Sequence, residues 1–266
     1  MEENKELIGE IIERHRARRE FHRAEKTMTL RIKCACRRMC RNLLCGGEKC
    51  EHGLCKLDAA EATLLYDVIN RKAGGEYPLA FKAKGFCLPF FQAREAVRKP
   101  RLEHERALEK LAEKLRVWDW CEGVDGVGKL ALSQIVGEAG EISRFGNPAK
   151  LWKRMGLAVI NGKSQRRVAD AAKAEEQGYN PLRRSTMYVV GDCMIKKQGV
   201  YRELYLEKKA YYTARDPNKS KVHLHRMAQR FMEKRFLKHL WRVWNGKAAV
   251  GADDAAVEEP ALVGVA

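Results

Sequence analysis

The sequence predicts a mainly α fold: a helical coiled-coil arm followed by a compact helical domain built around a helix–hairpin–helix unit. Three observations carry that expectation. Apolar residues recur at steps of three, four and seven along most of the chain. Proline, glycine and short polar residues fall where helices would start and stop. Convincing period-two alternation is missing, and only Leu157 to Ile160 reads as a short strand. At 266 residues, one or two cores are expected.

The first helix is read from Lys5 to Lys33, with Leu7, Ile8, Ile11, Ile12, Phe21, Met28 and Ile32 on one face. His15, Arg16, Arg18, Arg19, His22 and Arg23 interrupt that stripe. A long helix with a thin stripe fits a coiled-coil arm better than a core helix, and such an arm offers a route to a homo-oligomer. A second helix opens at Asp58, where Asp58 and Glu61 resemble a capping box. Leu64, Leu65, Val68 and Ile69 form its buried face, and Gly74–Gly75 stops it. Pro78, Gly85 and Pro89 cut residues 76–99 into short pieces, among which Phe86, Leu88, Phe90 and Phe91 pack. Pro100 introduces a helix from Arg101 to Val117, with Leu108, Leu111 and Leu115 as its stripe and Trp118 extending it. It pairs antiparallel with the first or second helix, or joins an ordinary bundle. Helices are then expected near 129–138, 148–155, 181–197, 200–214 and 222–244, with Asn147–Pro148 as an N-cap followed by proline in the first turn. The domain reading is 1–116 with a cysteine-rich tip at 34–55, then 117–246, then a disordered acidic tail at 247–266.

The formal net charge is +17. Such a field attracts polyanions, nucleic acid first and anionic membrane second. No apolar run approaches the roughly 20 residues needed to span a bilayer. The charged start, MEENKELIGE, lacks the apolar core of a signal peptide. A cytoplasmic protein with no membrane partner is expected, its nine cysteines mostly reduced.

One stretch raises a chemical question. Gly123–Val124–Asp125–Gly126–Val127–Gly128 crowds three glycines between two helical runs. Val127 can point inward and tie the helices together, while Gly126 and Gly128 bare backbone amides at the start of the second. Those donors, the positive helix end and Lys129 favour a phosphate oxygen. This is the helix–hairpin–helix pattern, which grips the sugar–phosphate chain and reads little sequence. Gly123, Gly126, Gly128 and Lys129 are therefore DNA-binding candidates. The alternative is a glycine-rich turn between packed helices. A dinucleotide fingerprint is disfavoured, because no buried strand precedes the glycines.

After that turn come GEAGEISRF (137–145), NPAKLWKRMGLA (147–158), YNPLRRSTMYVVGDCMIKKQGVYRELYLEKKAYY (179–212) and HRMAQRFMEKRFLKHLWRVW (225–244). In this order they resemble the C-terminal domain of the serine-type bacterial insertion-sequence transposases. Those recombinases join a RuvC-like nuclease domain with four acidic residues to this domain through a coiled coil. The resemblance covers about residues 117–244. It implies a helical DNA-binding domain acting in transposition. The first hundred residues show no strand bearing an early catalytic Asp, so the chain reads as a shortened or divergent relative. The resemblance also implies a nucleophilic serine just after the GLA segment. In GLAVINGKSQRRV that candidate is Ser164, a few positions late. A serine hydroxyl attacking a phosphodiester would link covalently to DNA, with Lys163, Arg166 and Arg167 stabilising charge on the phosphoryl oxygens. Alternatively, Ser164 is an exposed loop serine in a phosphate-binding basic segment.

Arg183 and Arg184, near a helix start after Pro181, either meet phosphate or are solvated. Arg226, Arg230, Lys234, Arg235 and Lys238 recur along the last helix, where one face could pack and the other meet DNA. His223 and His225 point to different sides of a helix and are not read as metal ligands. Cys34, Cys36, Cys40, Cys45, Cys50 and Cys55 cluster around His52. A structural zinc held by Cys40, Cys45, Cys50 and Cys55 is the cofactor candidate, ahead of an iron–sulfur cluster; free thiols are the alternative. Cys87, Cys121 and Cys193 read as packing residues.

The functional expectation is a DNA-binding protein of transposition or site-specific recombination. A non-enzymatic prophage or regulatory nucleic-acid-binding protein, and a serine recombinase borrowing its nuclease domain from another chain, are the alternatives. DNA is the expected partner, with a guide RNA and a second copy of the chain as further candidates.

Overall fold

The computed structural model describes residues 2–44, 56–70 and 80–248. The fold is mainly α, as the periodicity predicts. Its helices are α1 (Glu2–Leu44), α2 (Lys56–Ile69), α3 (Ala80–Glu113), α4 (Trp118–Glu122), α5 (Lys129–Ala139), α6 (Pro148–Arg154), α7 (Ala171–Gln177), α8 (Pro181–Lys196), α9 (Val200–Arg215) and α10 (Lys221–Trp244). A 3-10 turn covers Ile142–Arg144. Strands β1 (Val159–Ile160) and β2 (Lys163–Ser164) pair antiparallel, Val159 opposite Ser164 and Ile160 opposite Lys163.

The chain divides into two compact units. Residues 16–106 form one; the chain up to His15 and from Ala107 onward forms the other. In the first, α1 and α3 run antiparallel, because contacts climb one helix as they descend the other. Arg18 meets Glu105 at 2.8 Å and Glu25 meets Arg101 at 2.6 Å. Phe21 stacks on His104. Further along, Ile32 and Cys36 join Leu65 and Tyr66 of α2 and Ala83 and Cys87 of α3 in a small apolar core. The basic interruption of the α1 stripe is thus filled by ion pairs as well as solvent. Cys36 and Cys87 are both buried, and a hydrogen bond from Cys36 lowers the Cys87 thiol below its usual range.

Residues 76–99 depart from expectation. From Ala80 they form continuous helix, with Pro89 and Pro100 inside α3. An internal proline costs about 3 kcal/mol through a lost amide donor and a clash with the carbonyl four residues back. At Pro89 that carbonyl belongs to Gly85, which carries no side chain. Phe90 and Phe91 pack as expected, whereas Phe86 and Leu88 are exposed. On α2, Leu65 is buried and Leu64 is exposed. That helix starts at Lys56, two residues before Asp58. The side chains of the Asp58–Glu61 capping box, the Gly74–Gly75 stop, Pro78 and the tail from 249 lie outside the described residues.

The other unit is organised on α10, which packs against α9, α8, α6 and the 3-10 turn. Met232, Phe236, Leu237, Leu240 and Trp244 have no exposed surface. Burying side chains of this size contributes roughly 1.5–3 kcal/mol each. Three indole N–H groups pin the surrounding layers: Trp241 to the Phe145 carbonyl at 2.6 Å, Trp244 to Glu141 at 2.6 Å and Trp152 to the Lys234 carbonyl at 3.0 Å. Hydroxyls of Tyr201 and Tyr205 meet His239 and His225 at 2.8 and 2.7 Å. His225 therefore packs against the Tyr205 ring.

Helix starts follow the sequence signals. Asn147 caps α6 by accepting from the Lys150 amide at 3.0 Å, and Asn180 caps α8 through Leu182 at 2.9 Å. Both helices open with proline. Near the start of the chain, Ile8 and Ile11 join this core, and the His15 ring lies against Gly137 of α5. A Cβ at Gly137 would sit 2.6 Å from His15 Cγ, so glycine there makes room for the ring.

Candidate nucleic-acid interface

The glycine turn joins α4 to α5. Val124 and Val127 are buried, so both valines tie the helices together. Gly126 adopts a left-handed φ of 88°. A Cβ there would lie 2.7 Å from Met194 Cα and 2.8 Å from Cys193 O, so the turn is pressed against the backbone of α8. Next to it, the Asp125 carboxylate faces Gly199 at the start of α9, where a Cβ would meet it at 2.5 Å. Gly126 is therefore a packing residue; its role is broader than the amide exposure expected of it.

Gly128 is exposed, with nothing within 4 Å of a Cβ. It is the N-cap of α5 and supplies no side-chain cap. Asn147, Asp170, Asn180 and Ser220 do cap their helices with side-chain oxygens. No side chain caps the first amides of α5, nor those of α9 behind Gly199. Lys129 reaches back to Glu113 in a short ion pair and lies over the Trp118 ring at 5.6 Å. The hydrogen bond it donates to Glu113 raises the Lys129 ammonium above its usual range. Gly123 is exposed and forms the C-cap of α4.

Ser164 sits on a second protrusion. Asn161 and Gly162 have φ of 50° and 71°, the two positive values of a type I′ turn, and they close the β1–β2 hairpin. The Asn-Gly pair thus serves hairpin geometry. Lys163, Ser164, Arg166 and Arg167 are all exposed. No histidine or carboxylate among the described residues hydrogen-bonds the Ser164 hydroxyl. Between these exposed residues lies Gln165, almost completely buried. Its amide nitrogen donates to the carbonyls of Lys153 at 3.0 Å and Gln177 at 2.5 Å; its oxygen accepts from the Ala158 amide at 3.2 Å. Gln165 thereby ties the hairpin to α6 and α7. Sequence reading missed it and missed α7, although Asp170 and Gly178 are ordinary cap residues for that helix.

Arg183 and Arg184 are half-buried and face carboxylates. Arg184 bonds Glu233 at 2.7 Å, and Arg183 lies 3.7 Å from Glu138; both carboxylates are buried. Burial pushes the Glu233 carboxyl up to about 8, against the pull of Arg184 and Arg230. Gly191 leaves the space that Glu233 and Gln229 fill. On α10, Arg226 is exposed, but burial lowers the Arg230 guanidinium and the Lys234 ammonium, and Arg235 is buried. Along α10, Lys221 and Arg226 are thus exposed, Arg230, Lys234, Lys238 and Arg242 are half-buried, and Arg235 alone of these cations is buried.

Cys121 is buried, which raises its thiol to about 12, whereas Cys193 is exposed and does not pack as expected. Cys40 lies in α1, but its side chain and all of Cys45, Cys50 and Cys55 fall outside the described residues. Among the described residues, no group of three or more His, Cys, Asp or Glu is placed to hold a metal ion. No described helix is long and apolar enough to cross a membrane.

The geometry defines a helical module with a glycine hairpin and a basic β-hairpin. Within it, residues 121–206 match the model of the IS116/IS110/IS902 transposase family. The match links this region to transposition and spans the glycine hairpin, Ser164 and the first half of α9. No curated protein and no solved structure matches the chain.

Gly126→Ala is expected to destabilise the protein by about 1–3 kcal/mol through strain and overpacking, while Gly128→Ala stays within about 1 kcal/mol of the parent. Thermal denaturation of the two variants checks this. Gln165→Ala removes partners from two carbonyls and one amide, at a cost of about 1–3 kcal/mol. Hydrogen exchange should show faster opening of residues 158–166, with little change in α10.

Proposed function

We propose that this chain binds DNA in transposition or site-specific recombination, gripping the phosphate backbone with the α4–α5 hairpin and the basic β1–β2 hairpin. The observation that carries this reading is the uncapped start of α5 inside the transposase-matching segment. Amides without a side-chain cap, at the positive end of a helix, suit a phosphate oxygen. The +17 charge supplies long-range attraction, and exposed Lys163, Arg166 and Arg167 supply contacts. Contacts of this kind read the backbone, so affinity should depend strongly on salt and weakly on sequence.

A second reading has one specific observation in its favour. Ser164 is exposed on a fixed hairpin between cations, accessible to a phosphodiester. With a base and metal-binding carboxylates supplied by another chain, its hydroxyl could attack phosphorus and release a 3′ or 5′ hydroxyl, leaving a covalent protein–DNA bond.

Duplex affinity measured by anisotropy at several salt concentrations tests the first reading. Replacing Lys163, Arg166 and Arg167 together by Gln should make the log–log salt slope shallower by about two to three. No duplex binding at low ionic strength would end the proposal. For the second reading, supercoiled DNA carrying candidate ends is incubated with the protein and denatured. An adduct lost in Ser164→Ala supports catalysis; its absence with the nuclease partner present leaves binding alone.

A further inference from the structure

Three guanidinium groups from three elements meet at the C-terminal end of α5. Arg144, in the 3-10 turn, donates Nη2 to the Ala139 carbonyl at 2.7 Å, and its guanidinium lies over Phe145. Arg154, at the end of α6, donates Nε to the Glu138 carbonyl at 3.3 Å. Arg183, on α8, places Nε 3.7 Å from Glu138 Oε2. The other oxygen of that carboxylate meets His15 Nε2 at 3.0 Å. Gly140, with φ of 80°, turns the chain here, and a Cβ on it would contact the Arg144 guanidinium at 3.5 Å.

The carbonyl end of α5 and the Glu138 carboxylate explain why cations gather. They do not explain why three do. Three positive charges face one carboxylate; Arg154 and Arg183 are half-buried, where water screens poorly, and Arg144 is exposed. Only one nitrogen of Arg144 and one of Arg154 is used internally. The terminal amino groups of Arg154 and the rest of the Arg144 fork meet no acceptor among the described residues. Burial lowers the Arg154 guanidinium, Arg183 and Arg144 lower it further, and Glu138 alone opposes them.

We propose that Arg144, Arg154 and Arg183 form an oxyanion site for a phosphate group, Arg144 and Arg154 donating to it and Arg183 adding the third charge. Guanidinium forks match phosphate oxygens in pairs, and a bound anion relieves the crowding. The site lies at the far end of α5 from the uncapped amides, about 16 Å away at 1.5 Å per residue. The DNA reading above supplies the expected source of the phosphate, a phosphodiester of the same bound strand; the alternative source is a free phosphate.

The test uses the full chain with two probes, inorganic pyrophosphate and a random-sequence duplex. Without anion, Arg154→Gln should melt at or above the parent temperature, because a repelling charge is gone. Pyrophosphate should raise the melting temperature of the parent and lose most of that effect in Arg154→Gln and in exposed Arg144→Gln. With duplex, each variant should bind about tenfold more weakly, with a salt slope shallower by about one. Equal pyrophosphate shifts in parent and variants overturn the site. So does a lower melting point for both variants with unchanged pyrophosphate response, which assigns the arginines to capping α5. If pyrophosphate acts through the arginines while the parent fails to bind duplex, the site stands for a free phosphate and the DNA reading falls.

Discussion

The unit that carries both hairpins depends on the burial of α10. A helix rich in lysine and arginine becomes a central stave because its apolar residues are enclosed and its polar ones find partners. Phe236, Leu240 and Trp244 supply the enclosed face. Glu233 receives Arg184, and the Lys234 carbonyl receives the Trp152 indole. A buried ion pair is an uncertain source of stability, but removing one partner strands the other in a poorly solvating medium. The position of α8 is thereby fixed, and with it the backbone surface against which Gly126 rests. The glycine turn inherits its geometry from a helix that begins nearly a hundred residues later.

This organisation divides the basic residues into two populations. Arg184, Arg230 and Lys234 are half-buried and Arg235 is buried, and Arg184 holds α8 to α10 through Glu233. Lys163, Arg166 and Arg167 stay exposed on a hairpin whose orientation Gln165 secures. Arg144 and Arg154 stand between these groups, with one nitrogen committed and the others open. The net charge of the chain therefore overstates the number of cations available to a polyanion. Where the remaining ones are presented matters more than how many the sequence holds.

Much of the architecture was legible because local signals agreed with tertiary packing. Asn147–Pro148 and the apolar spacing of α5, α8, α9 and α10 give helices within a residue or two of expectation. The continuous α3 was not legible: Pro89 and Pro100 are strong local breakers, and the contacts that hold the helix, from Cys87, Phe90 and Phe91 in the small core to Arg101, His104 and Glu105 against α1, are tertiary. The glycine hairpin was visible, but the close approach of Gly126 to Met194 was not, since that contact joins residues nearly seventy positions apart. Asn161–Gly162 is a favoured pair for a two-residue hairpin turn, but the strands beside it are only two residues long and show no alternation to reveal them. Arg183 and Arg184 follow an N-cap and proline, which marks a helix start but says nothing about which side faces Glu138 and Glu233. Gln165 carried no signal at all; a lone glutamine between exposed basic residues acquires meaning only when α6 and α7 bring carbonyls to it.

All five tryptophans of the chain, Trp118, Trp120, Trp152, Trp241 and Trp244, belong to the unit built on α10. Residues 16–106 contain none. Intrinsic emission excited at the red edge of indole absorption is thus blind to melting of the α1–α3 pair and reports one unit alone. If the two units unfold at different temperatures, a fluorescence transition will look two-state while circular dichroism, which weighs every helix, shows a second step.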